Sequence, residues 1–255
     1  MSLSLPKVSV SIVSHLQAGM VMELLTDLER FCKRYSLEVM LTLNLPEALS
    51  ISASDFSFSL ILHVNQVPKG FAANHNHAFG RSTGQFFCVM NPDIRLNDDP
   101  FPALLVCLED ATVGVAAPWV LKQNGASEDS ARRFPTPFTI ILKLFGKRQN
   151  NDYAIKGESI RPDWAAGMFL LFPRAIFNAL GGFDQRYFLY YEDVDICLRL
   201  RLLGYAVVVT PQAKVIHHAQ RTSHRSPKYL RWHLASMMRF FCSTVYRQLQ
   251  RRKFM

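Results

Sequence analysis

The sequence FFCVMNPD, residues 86–93, consists of five apolar residues that run directly into Asn91, Pro92 and Asp93. A short strand without a polar residue is typical of the middle of a parallel sheet, where helices cover both faces. In such sheets ligands bind outside the carboxyl ends of the strands. The stretch therefore predicts a carboxylate, Asp93, held on a restrained turn at the ligand-binding edge of a sheet.

Alternating strand and helix patterns surround this stretch. β-branched residues predict a first strand at Val8–Val13, and apolar residues at helical spacing predict a helix at Met20–Tyr35. Further strands are predicted at 37–43, 58–64, 113–118, 167–172, 206–209 and 214–217, and further helices at 71–81, 101–109, 138–145, just after Pro173, and at 192–203. This order favours an α/β fold with a mostly parallel sheet flanked by helices.

Composition and charge suggest one globular domain with a different C-terminal end. Hydrophobic residues make up 49% of the chain, the five cysteines are dispersed, and no apolar run approaches the length of a membrane span. We expect a reduced, cytoplasmic protein without a secretory signal. Residues 221–255 hold nine Lys or Arg and no acid, whereas the rest of the chain has 20 of each sign. We therefore predict a domain at 1–220 and a basic extension at 221–255.

The extension has the pattern of an amphipathic helix. Its apolar residues recur at helical spacing, whereas Arg231, Arg239, Arg247 and Arg251 lie off this stripe. The stripe consists of Leu230, Leu234, Met237, Phe241, Val245 and Leu249. The helix either packs on the domain or lies on an anionic membrane surface, and both interpretations remain open.

Two acidic clusters carry the candidate chemistry. Asp93 suits Mg²⁺ or Mn²⁺, which proteins hold with carboxylates and substrate phosphates, although Asn91-Pro92-Asp93 is also an ordinary turn. In Tyr190-Tyr191-Glu192-Asp193-Val194-Asp195, three carboxylates follow an aromatic run. Acids favour the first turn of a helix in any case, but burial beside aromatic rings would raise the pKa of a carboxyl towards that of a general base.

Other polar residues are candidates for binding a phosphate or a sugar. Residues 65–79 are unusually polar, and Gly70 leads into a predicted helix, whose N-terminus can bind a phosphate. His217-His218 follows a strand and would supply a metal ligand or a diphosphate contact, unless it is structural. No GxGxxG or P-loop pattern is present, which argues against a dehydrogenase or an NTPase.

Taken in order, several motifs resemble glycosyltransferase family 2, and within it the bacterial rhamnosyltransferases that act on lipid-linked sugars. The matching stretches are Val10–Ser14, Asn65, Lys69–Asn74, Asn91–Asp93, Ala131–Pro135, Asp163–Gly167, Gly182–Gln185, Phe188–Leu200 and Arg231–Leu234. The resemblance implies a GT-A fold and an inverting transfer. The expected reaction moves L-rhamnose from dTDP-L-rhamnose to a polyprenyl-diphosphate-linked saccharide in O-antigen assembly, at the inner face of the plasma membrane and without a nucleic-acid partner.

The resemblance also implies roles for individual residues. Asp193 would be the catalytic base and Glu192 its support, and Asp93 would bind Mg²⁺ or Mn²⁺. Trp164 and Gly167 would line the acceptor pocket. The donor and its diphosphate would be bound by Asn65, Lys69, Gly70, Asn74, Asn91, Arg199 and His217.

One position departs from the family pattern. Relatives usually end the second strand with Asp-Asn, whereas this chain has Leu43-Asn44. The missing acid leaves the nucleotide sugar undecided, and it keeps a degenerate, non-catalytic binding protein as an alternative. A sugar nucleotidyltransferase is another alternative, although the chain lacks an N-terminal Gly-rich, basic phosphate loop.

Overall fold

The computed structural model describes residues 7–144, 151–154, 157–218 and 227–253. The strands are β1 (Lys7–Ser14), β2 (Ser36–Leu43), β3 (Ser59–Val64), β4 (Phe86–Met90), β5 (Ile94–Arg95), β6 (Val113–Lys122), β7 (Ala131–Arg132), β8 (Trp164–Ala165), β9 (Phe169–Pro173) and β10 (Ala206–His217). The helices are α1 (Ala18–Phe31), α2 (Phe71–Arg81), α3 (Phe101–Leu108), α4 (Pro137–Leu144), α5 (Arg174–Ala179), α6 (Glu192–Leu202), α7 (Pro227–Cys242) and α8 (Thr244–Lys253).

Eight strands form one sheet in the order β3-β2-β1-β4-β9-β6-β10-β5. The pairs β3/β2, β2/β1, β1/β4 and β6/β10 are parallel, whereas β9 and β5 run antiparallel to their neighbours. The predicted mostly parallel α/β sheet is therefore confirmed. As predicted, β4 is an inner strand, and the turn at Asn91 lies at its carboxyl end.

Some element boundaries differ from those predicted. The two late strands form one strand, β10, whose pairing with β6 is irregular between Thr210 and Lys214. The predicted helix at 138–145 begins one residue earlier, at Pro137, and its last predicted residue, Phe145, lies outside the described residues. All five cysteines are free thiols.

Two apolar clusters form the core. One contains Val10 and Ile12 of β1 with Leu24 and Leu28 of α1. The other contains Phe87 of β4 and residues from β9, α5 and α6. Because β4 contributes alternate side chains to the two clusters, the polar turn after β4 rests on a rigid base.

The described part of the extension packs on the domain. Phe240, Tyr246 and Leu249 are buried in the same cluster as α6. The predicted stripe is interrupted at Ser243, whose hydroxyl accepts a hydrogen bond from the backbone N–H of Tyr246 at 3.1 Å and so begins a second helix. The second half of the stripe is therefore apolar because it packs on the domain. In the first half, Leu230 and Leu234 are exposed to solvent. The predicted boundary at residue 221 lies outside the described residues.

None of the helices within the described ranges has both the length and the hydropathy needed to cross a membrane.

Candidate active site

Two cavities open beside the acidic clusters. One, of about 410 Å³, is lined by the Asn91–Asp93 turn, the start of α2 and the start of α7. We call it the Asp93 cavity. The other, of about 710 Å³, is lined by β7, α4, the start of α6 and His233, and we call it the Asp193 cavity. Tyr190 lines both, so the two cavities meet at this side chain.

Backbone hydrogen bonds hold the turn after β4 in place. The N–H of Asn91 donates to the carbonyl of Met168 at 2.9 Å, and the N–H of His218 donates to the carbonyl of Asp93 at 2.8 Å. The pairing of β5 with the end of β10 brings His217 to Asp93, with 3.2 Å between Nε2 and Oδ2. The sequence predicted both residues at this site, and the sheet topology brings them together.

The carboxylate of Asp93 offers a donor atom that fits a divalent metal. Within the described residues, Oδ1 of Asp93 and Nδ1 of His217 are buried without a hydrogen-bond partner. Nδ1 of His217 lies 3.6 Å from Oε2 of Glu128. The described part of the chain holds no group of three or more His, Cys, Asp or Glu side chains that could bind a metal without help. A metal held here would thus take further ligands from a substrate diphosphate and water.

The charge on His217 reflects competing effects. Burial lowers its pKa, but the hydrogen bond to Asp93 and the charges of Asp93 and Glu128 outweigh this, so the pKa lies above its usual value.

Asn44 organises the polar wall of the Asp93 cavity. Its Oδ1 accepts hydrogen bonds from the side chains of Asn65 and Asn74, at 2.9 and 3.1 Å, and from the backbone N–H of Lys69 at 2.8 Å. Asn74 and Lys69 line the cavity, whereas Asn65 does not. Asn65 therefore positions its neighbours. Leu43, in place of the family's acid, is buried in the apolar core.

Gly70 is required where the chain enters α2. The backbone N–H of Phe71 donates to the carbonyl of Phe188 at 2.9 Å, and a Cβ on Gly70 would collide with the backbone of Phe188. Four residues further along α2, Nδ1 of His75 lies 2.8 Å from the hydroxyl of Ser11, and burial lowers the pKa of His75 to about 3. The imidazole of His75 is therefore neutral in the cavity wall.

The segment that enters α6 has an unusual backbone. Tyr190 and Tyr191 have φ values of 70° and 68°, in the left-handed region that non-glycine residues rarely adopt. Such residues cost about 1–3 kcal/mol each and cluster at functional sites. The His233 ring of α7 lies 5.2 and 5.5 Å from the two tyrosine rings. The conformation places Tyr190 between the cavities and begins α6 at the acidic cluster.

Glu192 and Asp193 have different surroundings. The carboxylate of Asp193 accepts hydrogen bonds from the backbone N–H of Gly167 at 3.0 Å and of Val194 at 2.8 Å. Glu192 is buried, and its Oε2 has no partner among the described residues. Burial raises both pKa values, and the neighbouring Asp193 raises that of Glu192 further, to well above its usual range. Because only Asp193 has donors for both oxygens, we assign the negative charge to Asp193 and a proton to Glu192.

Arg199 does not face a diphosphate. Its Nε donates to the carboxylate of Asp195 at 2.7 Å, and its two terminal nitrogens donate to the carbonyls of Leu180 and Gly182 at 2.7 and 2.9 Å. It lines neither cavity. The predicted donor contact is therefore replaced by a structural role, because the i,i+4 spacing directs Arg199 to Asp195 and the turn before α6.

Trp164 lies in the Asp193 cavity with several residues that sequence reasoning did not select. The indole N–H of Trp164 donates to the carbonyl of Arg133 at 2.9 Å. Gly167, which was predicted to line the same pocket, does not line the cavity; its N–H binds Asp193 instead. The unselected residues are Arg132, Arg133, Tyr191 and His233 in this cavity, and His15, Asn44, Lys228 and Trp232 in the other. Most of these residues lie inside the motifs that resemble the family. Those motifs were therefore the feature of the sequence that could have identified them.

We predict that Glu192→Gln stabilises the protein as pH rises. A carboxyl whose pKa is raised on folding destabilises the native state above its unfolded pKa, and the loss grows as pH rises through the folded pKa. The variant should match the wild type near pH 4 and melt increasingly higher towards pH 8, by about 2–4 °C per kcal/mol. Calorimetry across this range, with the exposed Glu158→Gln as control, measures the gap. A gap that does not change with pH would show that Glu192 is ionised in the fold.

Comparisons with known proteins point to glycosyltransferases. No protein-family model matches the chain. The rhamnosyltransferase WbbL of Escherichia coli (strain K12) is 30% identical over 185 residues, which cover 67% of this chain and 69% of WbbL. N-acetylglucosaminyl-diphospho-decaprenol L-rhamnosyltransferase of Mycobacterium tuberculosis is 33% identical over 54% of this chain, which spans about half, 48%, of that relative.

Solved structures share the fold at low sequence identity. GalNAc-T7, crystallised with UDP, GalNAc and Mn²⁺, superposes with a TM-score of 0.64 at 16% identity, over 85% of this chain and 44% of its own. The mannosyltransferase PcManGT of Pyrobaculum calidifontis, in complex with GDP-Man and Mn²⁺, gives 0.60 at 18% identity, over 93% of this chain and 65% of its own. With its GT-A fold and its similarity to WbbL, the chain belongs to glycosyltransferase family 2, among the relatives of bacterial rhamnosyltransferases.

Proposed function

We propose that this glycosyltransferase moves L-rhamnose from dTDP-L-rhamnose to a saccharide linked to polyprenyl diphosphate, with inversion at the anomeric carbon. The product would enter O-antigen or a related cell-surface polysaccharide. The names of the relatives support the sugar and the acceptor class. The observation that carries the proposal is the meeting of two cavities at Tyr190, with a metal-type carboxylate in one and a raised-pKa carboxylate in the other.

The Asp93 cavity has the features of a donor site. Lys69 and Lys228 supply positive charge at its lining, and Trp232 and Tyr229 supply aromatic surface. His75 in the wall is neutral, and Asn44 and Asn74 hold the lining in place through their mutual hydrogen bond and their bonds to the backbone of Lys69. A nucleoside diphosphate needs this combination of cations, rings and polar groups.

Asp193 would act as the base of a single displacement. It takes the proton of the acceptor hydroxyl while the hydroxyl oxygen bonds to the anomeric carbon. The bond from that carbon to the diphosphate oxygen breaks, and its electron pair leaves with the nucleoside diphosphate. Glu192, protonated and buried beside Asp193, keeps a second negative charge away, while the N–H of Gly167 fixes the carboxylate.

We predict that Asp193→Asn lowers kcat about 10²–10⁴-fold, the usual contribution of a general base. Donor affinity should stay unchanged, because Asp193 lines only the other cavity. Transfer is measured with purified protein, dTDP-L-rhamnose, Mg²⁺ and a lipid-linked N-acetylglucosamine acceptor. Asp110→Asn, which changes an exposed carboxylate paired with Arg161, is the matched control. Undiminished turnover in Asp193→Asn would contradict the assignment of Asp193 as the base.

Failure of the wild type to transfer any sugar would contradict the proposed reaction and favour a second candidate function. The buried Leu43 favours a degenerate binding protein as the second candidate, since this position lacks the acid of the family. A thermal-shift screen of nucleotide sugars separates the two candidates, because a bound donor stabilises the native state whether or not transfer follows.

Asp93 would hold a divalent metal in the Asp93 cavity, while His217 contacts its Oδ2. When bound, Mg²⁺ or Mn²⁺ neutralises charge on the departing diphosphate. Asn91 takes the place of the first acid of the usual DxD pair, so this chain would offer one carboxylate at the turn instead of two.

We predict that Asp93→Asn removes the dependence of dTDP binding on Mn²⁺. In the wild type, Mn²⁺ should tighten the Kd for dTDP, and calorimetry with and without the metal measures this gain. The variant should bind dTDP with the weaker affinity in both conditions, whereas Asp55→Asn, at an exposed carboxylate, should keep the gain. An undiminished gain in Asp93→Asn would place the metal elsewhere.

The face formed by α4 and α7 would rest on the cytoplasmic surface of the plasma membrane. Leu230, Leu234 and Met238 recur every fourth residue on the exposed side of α7, with exposed fractions of 60, 45 and 65%. Phe138 and Ile141 are exposed on α4. Both helices also line the Asp193 cavity, so the acceptor's lipid could remain in the bilayer while its sugar reaches Asp193.

Charge complementarity selects an anionic bilayer as the occupant of this face. The exposed Arg231 and Arg239 flank the apolar stripe of α7, and residues 221–255 contain no acid. Each basic residue near an anionic membrane contributes about 1 kcal/mol to binding.

We predict that the triple variant Leu230→Ser, Leu234→Ser, Met238→Ser loses liposome binding. Full burial of each such side chain contributes about 1.5–3 kcal/mol, so losing three weakens partition by about a thousandfold or more. Co-sedimentation with vesicles containing phosphatidylglycerol measures the effect. The double variant Leu62→Ser, Val106→Ser alters exposed residues of β3 and α3 and should bind normally. Equal binding by the wild type and both variants would show that these three residues of α7 do not bind the membrane.

A further inference from the structure

The Asp193 cavity has two cationic side chains in its lining as well as the acidic pair. Besides Trp164 and the acidic pair, its wall includes Arg132 and Arg133, which no step of the transfer described above uses. At about 710 Å³ it lies within the usual range for ligand pockets and is the larger of the two cavities. The arginines therefore call for a ligand group beyond the accepting sugar.

The guanidinium of Arg132 is held in place through Nε, whereas its terminal nitrogens can bind a ligand. Its Nε donates to the carbonyl of Asp129 at 2.8 Å and lies 3.0 Å from that residue's carboxylate, and its guanidinium lies 5.2 Å from the ring centre of Trp164. Neither terminal nitrogen has a hydrogen-bond partner within the described ranges. Burial raises the pKa of Asp193, and the charge of Arg132 opposes that rise, so Arg132 lies within electrostatic reach of the base.

Arg133 has a fixed backbone and an exposed side chain. Its N–H donates to the carboxylate of Asp152 at 3.0 Å, and its carbonyl accepts the indole N–H of Trp164 at 2.9 Å. Its guanidinium lies 5.8 Å from the ring centre of Tyr153. Along the chain, Arg133 precedes Pro135 and α4, which line the same cavity.

The acidic residues near the two arginines have partners of their own. Asp163 accepts hydrogen bonds from the N–H of Phe134 at 2.9 Å and from Arg201 at 2.7 Å. Asp152 accepts the backbone N–H of Arg133, and Asp129 is paired with Nε of Arg132. Among the described residues, none accepts a hydrogen bond from the terminal nitrogens of Arg132 or from the guanidinium of Arg133, so these groups remain as donors for a ligand.

We propose that Arg132 and Arg133 bind the diphosphate of the lipid-linked acceptor, between its sugar at Asp193 and its lipid at α4 and α7. This inference rests on the proposed function, since it assigns the acceptor to that reaction. Guanidinium groups match phosphate oxygens in paired hydrogen bonds, and two adjacent arginines suit a diphosphate. The cavity lining includes the base, the two arginines and residues of α4 and α7, which gives one kind of group for each part of such an acceptor: sugar, diphosphate and hydrocarbon.

The test compares two soluble acceptor analogues with the same sugar. One is an N-acetylglucosaminyl diphosphoryl alkyl ester, and the other is the alkyl glycoside without the diphosphate. Calorimetry gives the Kd of each for the wild type, Arg133→Ala and Arg132→Lys. The control is Arg81→Ala, at the opposite end of α2 from the Asp93 cavity. Turnover with each analogue is measured in parallel.

The proposal predicts selective losses. Arg133→Ala should weaken binding of the diphosphate ester about 10- to 100-fold, as expected for lost hydrogen bonds to a charged group, and leave glycoside binding within about twofold. Arg132→Lys should weaken binding of the diphosphate ester less, because lysine keeps the positive charge but lacks the paired N–H donors of a guanidinium. Arg81→Ala should match the wild type.

Two results separate the possible failures. Equal losses for both analogues in Arg133→Ala, or none, would overturn the diphosphate assignment while leaving the transfer reaction intact. Selective binding losses without transfer by the wild type would support the diphosphate site and contradict the proposed reaction.

Discussion

The carbonyl of Phe188 accepts a hydrogen bond from the backbone N–H of Phe71 at 2.9 Å, and the arrangement of both cavities depends on this contact. It leaves no room for a side chain at Gly70, so the start of α2 lies directly against the segment 188–191. The next carbonyl, of Leu189, accepts the hydroxyl of Ser236 at 2.8 Å and secures α7. Tyr190 and Tyr191 then turn the chain into α6. Four consecutive residues thus set the positions of three helices, and the strain of two left-handed tyrosines is offset by that packing.

The acidic residues differ in chemistry because their surroundings differ. Asp93 has a histidine on one oxygen and a buried second oxygen without a partner among the described residues, which suits a cation. Asp193 has a backbone donor for each oxygen, which favours its ionised form, whereas Oε2 of Glu192 beside it has no donor within the described ranges. Asp195 is neutralised by Arg199 and supports the turn before α6. Sequence adjacency therefore says little about role; hydrogen-bond donors and burial decide it.

Local patterns in the sequence predicted most of the sheet and α6, because strand and helix periodicities depend on neighbouring residues. The position of Asp93 followed from β4, whose apolar run required an inner strand. The role of Arg199 was not predictable in this way, since its partners at Leu180 and Gly182 are set by the fold. The contacts of α7 with Tyr190 and Phe188 were missed for the same reason. The left-handed tyrosines gave no signal, because the usual marker of that conformation is glycine.

We propose a single displacement beside Tyr190, in which one carboxylate activates the acceptor and no covalent glycosyl-enzyme forms. The most direct measurement is the anomeric configuration of the transferred sugar, determined by NMR on the product and compared with that of the donor. A single displacement should give the opposite configuration in the product. Retention of the donor's configuration would contradict this mechanism.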